Sequence, residues 1–301
     1  MIKKSSFPKV LLLLAAFVFF TANTIHIIEV ENSQLLASVN PTYHFDFDTA
    51  TKKGPYLNLK SAILVNYENG QVLYNKNADE VRPIASITKL VAAMVILDKG
   101  IDLKQTEKII KSDARRSSKS RLKVGYELTL EDLLVAALMN SDNRAMRALA
   151  RATSGSIKAF AQEMNKKAIT LGLKRTMFIE PTGLDRRNVS TAHEVAKIIH
   201  YVFNYPKLVE ITSARKRRIP IQNHKGKYLQ MANTNLIVLS RYDVLTGKTG
   251  YIRAAGYCLG TLVQDKSGER LTAVVLGVPG DKLRFREIRK LLDWGYKQVY
   301  M

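Results

Sequence analysis

Residues Ser86 to Lys99 (SITKLVAAMVILDK) have a helical composition, are apolar on most faces and stop at Gly100. A helix of that kind has no polar side to turn toward water, so other elements must enclose it, and it is read as a buried central helix. The chain around it offers the walls. Ser61 to Asn66 (SAILVN) and Gln71 to Asn75 (QVLYN) flank Glu68-Asn69-Gly70, and Asn-Gly between two β-rich runs marks a hairpin.

Further helices are expected at Thr129–Met139, Asn143–Thr153, Ile157–Thr170 and Ala192–Phe203. The last is opened by Thr191-Ala192-His193-Glu194, which has the form of a capping box. Beyond Arg215 the character turns to strands at Val244–Thr249, Ala254–Gln264 and Arg270–Val278, with Asp265-Lys266-Ser267-Gly268 as a hairpin loop. A final helix over Lys282–Val299 carries Leu283, Phe285, Ile288, Leu291, Leu292 and Trp294 mostly on one stripe. Strands at both ends with helices between them imply an α/β protein of the α+β kind: one antiparallel sheet flanked by helices, with an all-helical insertion. The expected division is residues 1–37 as leader and start of a linker, 38–58 as a leading arm, and 59–301 as one catalytic domain. Within it, residues 59–85 and 215–301 make the sheet part and 86–214 the helical part.

With 47 Lys+Arg against 26 Asp+Glu the formal charge is +21, while 46% of the residues are apolar, enough to build a real core and to exclude a disordered tail. So basic a chain suits a polyanionic partner. The N-terminus decides which kind. Lys3, Lys4 and Lys9 precede the apolar run Val10 to Ala22 (VLLLLAAFVFFTA), the n-region and h-region of an export signal. Phe20 is bulky where a cleavage site wants a small residue, and His26, Ile27 and Ile28 lengthen the apolar stretch, so an uncleaved anchor is the alternative. Export to the periplasm removes nucleic acid from the partners and favours anionic envelope polymers. The lone cysteine, Cys258, allows no intramolecular disulfide, CxxC pair or zinc cluster, and a buried, inert thiol is expected.

Ser-x-x-Lys occurs four times, at Ser6/Lys9, Ser86/Lys89, Ser120/Lys123 and Ser213/Lys216, and only Ser86 opens a long buried helix. Positions i and i+3 share a helix face, so Ser86 and Lys89 fall within reach of one hydrogen bond. A serine hydroxyl needs a base, and lysine serves only when burial or a second cation keeps it neutral. The free N–H groups of a helix start lie where oxyanion charge would develop. Ser141-Asp142-Asn143 follows between two helices, and Thr246-Gly247-Lys248-Thr249-Gly250 ends a β-like run, its glycines allowing close approach and its Lys and Thr offering an ammonium and a hydroxyl to a carboxylate.

Ser-x-x-Lys, Ser-Asp-Asn and Lys-Thr-Gly in that order are the signature shared by class A β-lactamases and penicillin-binding proteins. From Lys60 to Tyr296 the chain resembles the low-molecular-mass penicillin-binding proteins, serine DD-peptidases of the D-alanyl-D-alanine carboxypeptidase/endopeptidase family. The likeness extends to Pro83-Ile84-Ala85-Ser86-Ile87-Thr88-Lys89, Ser141-Asp142-Asn143-Arg144-Ala145, Glu180-Pro181-Thr182-Gly183-Leu184, Asn233-Thr234-Asn235 and Gly247-Lys248-Thr249-Gly250. The resemblance implies a DD-peptidase/β-lactamase-like fold and an acyl-enzyme on Ser86, with Lys89 as base and Ser141 relaying a proton to the leaving amine. It also implies Asn143, Lys248, Thr249 and Gly250 as substrate-binding residues, with the Lys248 cation helping to depress Lys89. The backbone N–H groups of Ser86 and Tyr251 would form the oxyanion hole. Peptidoglycan stem peptides are the implied substrates and β-lactams the implied covalent inhibitors, with no cofactor.

The nearest rival, a class A β-lactamase, needs Glu-x-x-Leu-Asn after Ser-Asp-Asn, and Glu180 is followed at the third and fourth positions by Gly183 and Leu184. Slow deacylation is therefore expected. Within the family, the short C-terminal end at Met301 and the wording around Ser86 and Ser141 favour an endopeptidase that cuts D-alanyl cross-links over a carboxypeptidase that trims pentapeptides. A non-catalytic envelope-binding module is supported only by basic runs, Lys104 to Lys123 and Arg215 to Lys227. Metal chemistry has no motif: His193 and His200 share a helix face, but no His-Glu-x-x-His exists.

Overall fold

The computed structural model describes residues 54–115 and 120–301. The expected leader with its cleavage or anchoring, residues 38–53 of the leading arm, and Arg116 and Lys119 of the first basic run lie outside the described residues. Strands β1 (Ser61–Asn66), β2 (Val72–Lys76), β3 (Asp243–Ile252), β4 (Gly256–Gln264) and β5 (Arg270–Val278) form one antiparallel sheet in the order β2-β1-β5-β4-β3. The first strand thus pairs with the last, Ser61 opposite Leu276 and Asn66 opposite Leu271. Every residue of β1 is buried, which is why SAILVN reads as a continuous apolar run rather than an alternating one.

The helices are α1 (Thr88–Asp98), α2 (Leu130–Met139), α3 (Asn143–Ser154), α4 (Ile157–Thr170), α5 (Ala192–Phe203), α6 (Pro206–Ser213) and α7 (Asp281–Val299). The stripe Phe285, Ile288, Leu291 and Leu292 of α7 joins Leu64, Leu259 and Val275 in one core cluster, while α5 also packs on the sheet. Helix α1 is buried from Thr88 to Ile96 and touches α2, α3, α4 and α5, the enclosure its sequence demands.

Three local outcomes differ from the sequence reading. Ser86 is not the first residue of the helix: it sits in a 3-10 turn, Ala85–Ile87, ahead of α1. The capping box is half made. Thr191 Oγ1 accepts from Glu194 N at 3.0 Å, but the Glu194 carboxylate accepts instead from Arg175 N at 2.9 Å and Thr176 Oγ1 at 2.6 Å. Helix α6 and the paired strands Lys216–Pro220 and Tyr228–Ala232 went unread, although Pro206 at a first helical turn is a start signal.

Candidate active site

Ala85, immediately before Ser86, has φ +48°, a left-handed conformation that a residue with a Cβ rarely holds unless its surroundings impose it. Two glycines from distant segments impose it here. A Cβ on Gly183 would fall 1.9 Å from the Ala85 carbonyl oxygen and 2.8 Å from Ser86 N. One on Gly250 would meet Ile84 O at 2.8 Å and Ser86 N at 3.1 Å. The peptide that carries the Ser86 N–H is therefore clamped between the Glu-Pro-Thr-Gly loop and the end of β3.

Lys89, in the first turn of α1, is fully buried, and its Nζ reaches Ser86 Oγ at 2.9 Å, Asn143 Oδ1 at 2.7 Å and the Thr182 carbonyl oxygen at 2.7 Å. A neutral amine has two N–H donors and one lone pair. The ammonium form donates to all three acceptors, while Ser86 Oγ itself donates to Thr182 O at 3.3 Å; once the amine is neutral, Asn143 Oδ1 and Thr182 O can keep its two donors and its lone pair can turn to the Ser86 hydroxyl. The site holds the amine close to that balance. Burial pushes the Lys89 amine down to about 7, assisted by Arg147 and opposed by the nearby carboxylates of Glu180 and Asp142.

Ser141 lies between α2 and α3 at φ +59°, a second strained position. The chain is held there by Asp142, whose Oδ1 caps α3 through Arg144 N at 2.9 Å and Ala145 N at 3.1 Å, and whose Oδ2 accepts from Ser120 Oγ at 2.6 Å. Asn143 next to it accepts from Lys89 Nζ, so the Ser141 turn lies two residues from a side chain in contact with the buried amine.

On β3, Lys248 is buried and its Nζ donates to the Thr249 carbonyl at 3.0 Å. Its amine is held well below the usual lysine range, first by burial, then by the proximity of Lys89 and Arg284. At Lys89 burial is the largest depressing influence and the assisting cation is Arg147 rather than the expected Lys248, whereas Lys89 depresses Lys248; repulsion between two neighbouring amines lowers whichever protonates second. Thr249 Oγ1 shares a 2.7 Å hydrogen bond with Thr234 Oγ1, and Thr234 N donates to Met139 O at 3.0 Å, tying β3 to the end of α2. Tyr251 follows Gly250 on the same strand, 52% exposed, its ring stacked on Tyr257 at 4.2 Å.

The profile of the D-alanyl-D-alanine carboxypeptidase family matches residues 48–280. The chain belongs to this family of serine peptidases. It is 35% identical over 249 residues to a D-alanyl-D-alanine endopeptidase of Escherichia coli, covering 81% of this chain and 79% of that one. To the D-alanyl-D-alanine carboxypeptidase DacF of Bacillus subtilis it is 35% identical over 246 residues, covering 79% and 62%. Penicillin-binding protein D2 of Listeria monocytogenes, solved in its ampicillin-bound form, superposes with a TM-score of 0.73 at 28% identity over 81% of this chain and all of that one. The protein is thus a low-molecular-mass penicillin-binding DD-peptidase, a serine hydrolase of α/β fold.

Three parts of the peptidase's site were not legible beforehand. Thr182 acts through a backbone carbonyl, which no side-chain motif announces. Glu180 reads in the sequence as the start of a family motif and as a failed match to the hydrolytic glutamate pattern, and neither reading announces that both its oxygens are engaged by the loop it belongs to. Buried Arg284 of α7 donates to Gly250 O at 3.2 Å and Cys258 O at 3.3 Å behind the strand that carries Lys248. Amid the basic residues of α7 it had no distinguishing signal. Cys258 itself is buried and its thiol is pushed up to about 11, an inert state.

Proposed function

We propose that this peptidase cleaves D-alanyl cross-links in peptidoglycan through an acyl-enzyme on Ser86. The observation that carries the reading is the buried Lys89 amine, 2.9 Å from Ser86 Oγ and pushed down to about 7, which puts a free-base fraction beside the hydroxyl at neutral pH. Ser86 Oγ attacks the D-alanyl carbonyl carbon and its proton passes to Lys89 Nζ. The tetrahedral oxyanion is held by the N–H groups of Ser86 and Tyr251. Collapse breaks the peptide bond, Ser141 relays a proton to the departing amine, and a water then attacks the ester, returning Ser86 to its hydroxyl form. Asn143 holds the substrate backbone. Lys248 and Thr249, with close approach permitted at Gly250, receive the substrate's carboxylate, whose charge favours the Lys248 ammonium that burial disfavours.

Labelling with a fluorescent penicillin tests the nucleophile: one label per chain is expected, and none on Ser86→Ala. Absence of labelling on the wild type would move the reading to an envelope-binding module. Endopeptidase activity is favoured by the likeness to the endopeptidase relative over most of its length. The carboxypeptidase alternative has equal identity on its side. Digestion of purified sacculi separates them: loss of cross-linked dimers supports the first, while persistent dimers with loss of terminal D-alanine from pentapeptides supports the second. The lysine-first apolar leader supports export to the periplasm, cleaved or tethered, and the +21 charge supports contact with anionic envelope polymers. Sacculus binding that weakens as salt rises would agree with that contact, and binding indifferent to salt would reduce the basic surface to a solubility feature.

A further inference from the structure

Glu180 is the acceptor around which a whole active-site wall is folded. Its Oε2 accepts from Thr182 N at 2.9 Å and Thr182 Oγ1 at 2.6 Å, and its Oε1 from Gly183 N at 2.6 Å and Leu184 N at 2.8 Å. The next anchor is the buried Asn188, which accepts from Ile179 N at 2.8 Å, donates to Glu180 O at 2.7 Å and reaches Thr88 at the start of α1 at 3.3 Å. The peptide between Thr182 and Gly183 is the telling unit. Its N–H donates to Glu180 and its C=O accepts from Lys89 at 2.7 Å, so carboxylate, peptide and amine form one line of hydrogen bonds. A charge-assisted bond at one end of a peptide strengthens the acceptor at the other.

The geometry points to Glu180 as a positioning residue for acyl transfer: it fixes the Thr182–Gly183 peptide so that the Thr182 carbonyl takes one Lys89 N–H and the amine's lone pair stays on Ser86. The same loop presses Gly183, at φ +82°, against the Ala85–Ser86 backbone, so one carboxylate sets both the base and the nucleophile turn. The Glu180 carboxylate makes its hydrogen bonds to its own loop and to Asn188 rather than to Ser86, and its two oxygens are too fully engaged to activate a water, which accords with slow release of a β-lactam acyl group.

The inference rests on Ser86 as nucleophile and Lys89 as its base, and the test separates the two. Wild type and Glu180→Gln are titrated with a fluorescent penicillin to count reactive sites. The acylation rate constant and the noncovalent dissociation constant are then measured separately from pH 5 to 10. A glutamine can accept at only one end, and its NH₂ would face N–H donors at the other. Acylation of the reactive fraction is expected to slow about 10–100-fold, since small displacements of a catalytic group cost that much. The noncovalent constant should stay unchanged, because the hydrogen bonds of the Glu180 carboxylate go to residues 182–188 and not to Lys248 or Thr249. The acid limb should move to lower pH, since the carboxylate raises the Lys89 amine and its removal lets that amine fall further. A merely structural role would lower the count of reactive sites and leave rate and limb in the surviving fraction at wild-type values; that result overturns the proposal. If Glu180→Gln does not fold, Glu180→Asp carries the test: slower acylation with an unmoved acid limb supports it, and a wild-type rate refutes it. Failure of the wild type to label would instead refute Ser86 as nucleophile.

Discussion

Replacing Asn143 by aspartate changes almost nothing in shape but puts a charge where an amide oxygen now sits 2.7 Å from Lys89 Nζ. In the wild type the amine is held at about 7, against an ordinary 10.5. At neutral pH that makes the free-base fraction about a thousandfold larger than an ordinary lysine would offer, because each unit of pKa is a factor of ten. A carboxylate in direct contact favours the ammonium form and raises such a pKa by about 1–3 units. Acylation requires the neutral amine, so the acid limb of the Asn143→Asp profile should shift upward by that amount. At pH 7, where half of the wild-type amine is already neutral, the rate should fall roughly 5–500-fold and recover as the solution approaches pH 10. The assay is the acylation rate constant with a chromogenic or fluorescent β-lactam, isolated from binding by saturation, at half-unit pH steps. His193 and His200 are held down to about 4 by burial and so do not blur the limb near neutrality. A limb that stays near 7 in Asn143→Asp, whatever its height, would refute Lys89 as the group that must lose its proton.

Lys89→Met removes a group whose folded-state pKa lies below its unfolded value, so between about 7 and 10.5 the unfolded wild type binds more protons and its stability rises with pH. Urea denaturation should therefore show wild type gaining on Lys89→Met across that window, by up to ~1.4 kcal/mol per pH unit, and parallel curves would contradict the buried neutral amine. Ser141→Gly relieves a left-handed backbone that Ser141→Ala retains, so the glycine variant should be about 1 kcal/mol more stable than the alanine variant by thermal unfolding, with acyl transfer impaired in both. Gly250→Ala forces a methyl group to 2.8 Å from Ile84 O and 3.1 Å from Ser86 N, and acylation should drop about 100-fold while the folded fraction by circular dichroism changes little. Rapid nitrocefin turnover by the purified protein would show that the missing Glu-x-x-Leu-Asn pattern had been misjudged.

Much of this was legible in the sequence because the informative residues obey simple periods. The all-round apolarity of Ser86–Lys99, the Asn69-Gly70 turn and the final stripe from Leu283 to Trp294 each demand one arrangement, and α1, β1–β2 and α7 supply it. The motif order put Ser86, Lys89 and Asn143 in contact across more than fifty residues of chain. What stayed hidden is work done by backbone or through packing. The Thr182 carbonyl has no residue type of its own, and Glu180 resembles any loop acid until its N–H partners are seen. Segment 204–232 was illegible for another reason. Helix α6 is short, and the Lys216–Pro220 strand is so basic that its alternation is masked, with only Ile219 buried.

The clamp on the Ala85–Ser86 peptide has a temporal consequence. Its jaws, Gly183 and Gly250, come from later in the chain, and β3 joins β1 only through β4 and β5, the last strands to be synthesised. A nucleophile specified at residue 86 therefore remains an ordinary serine until nearly the whole chain has been made and the long-range pairing of β1 with β5 has formed, a slow kind of contact. Reactivity toward penicillin becomes a clock for native assembly: in refolding, covalent labelling should lag helix formation and coincide with completion of the sheet. A DD-peptidase assembled this way is inert for as long as it is unfinished.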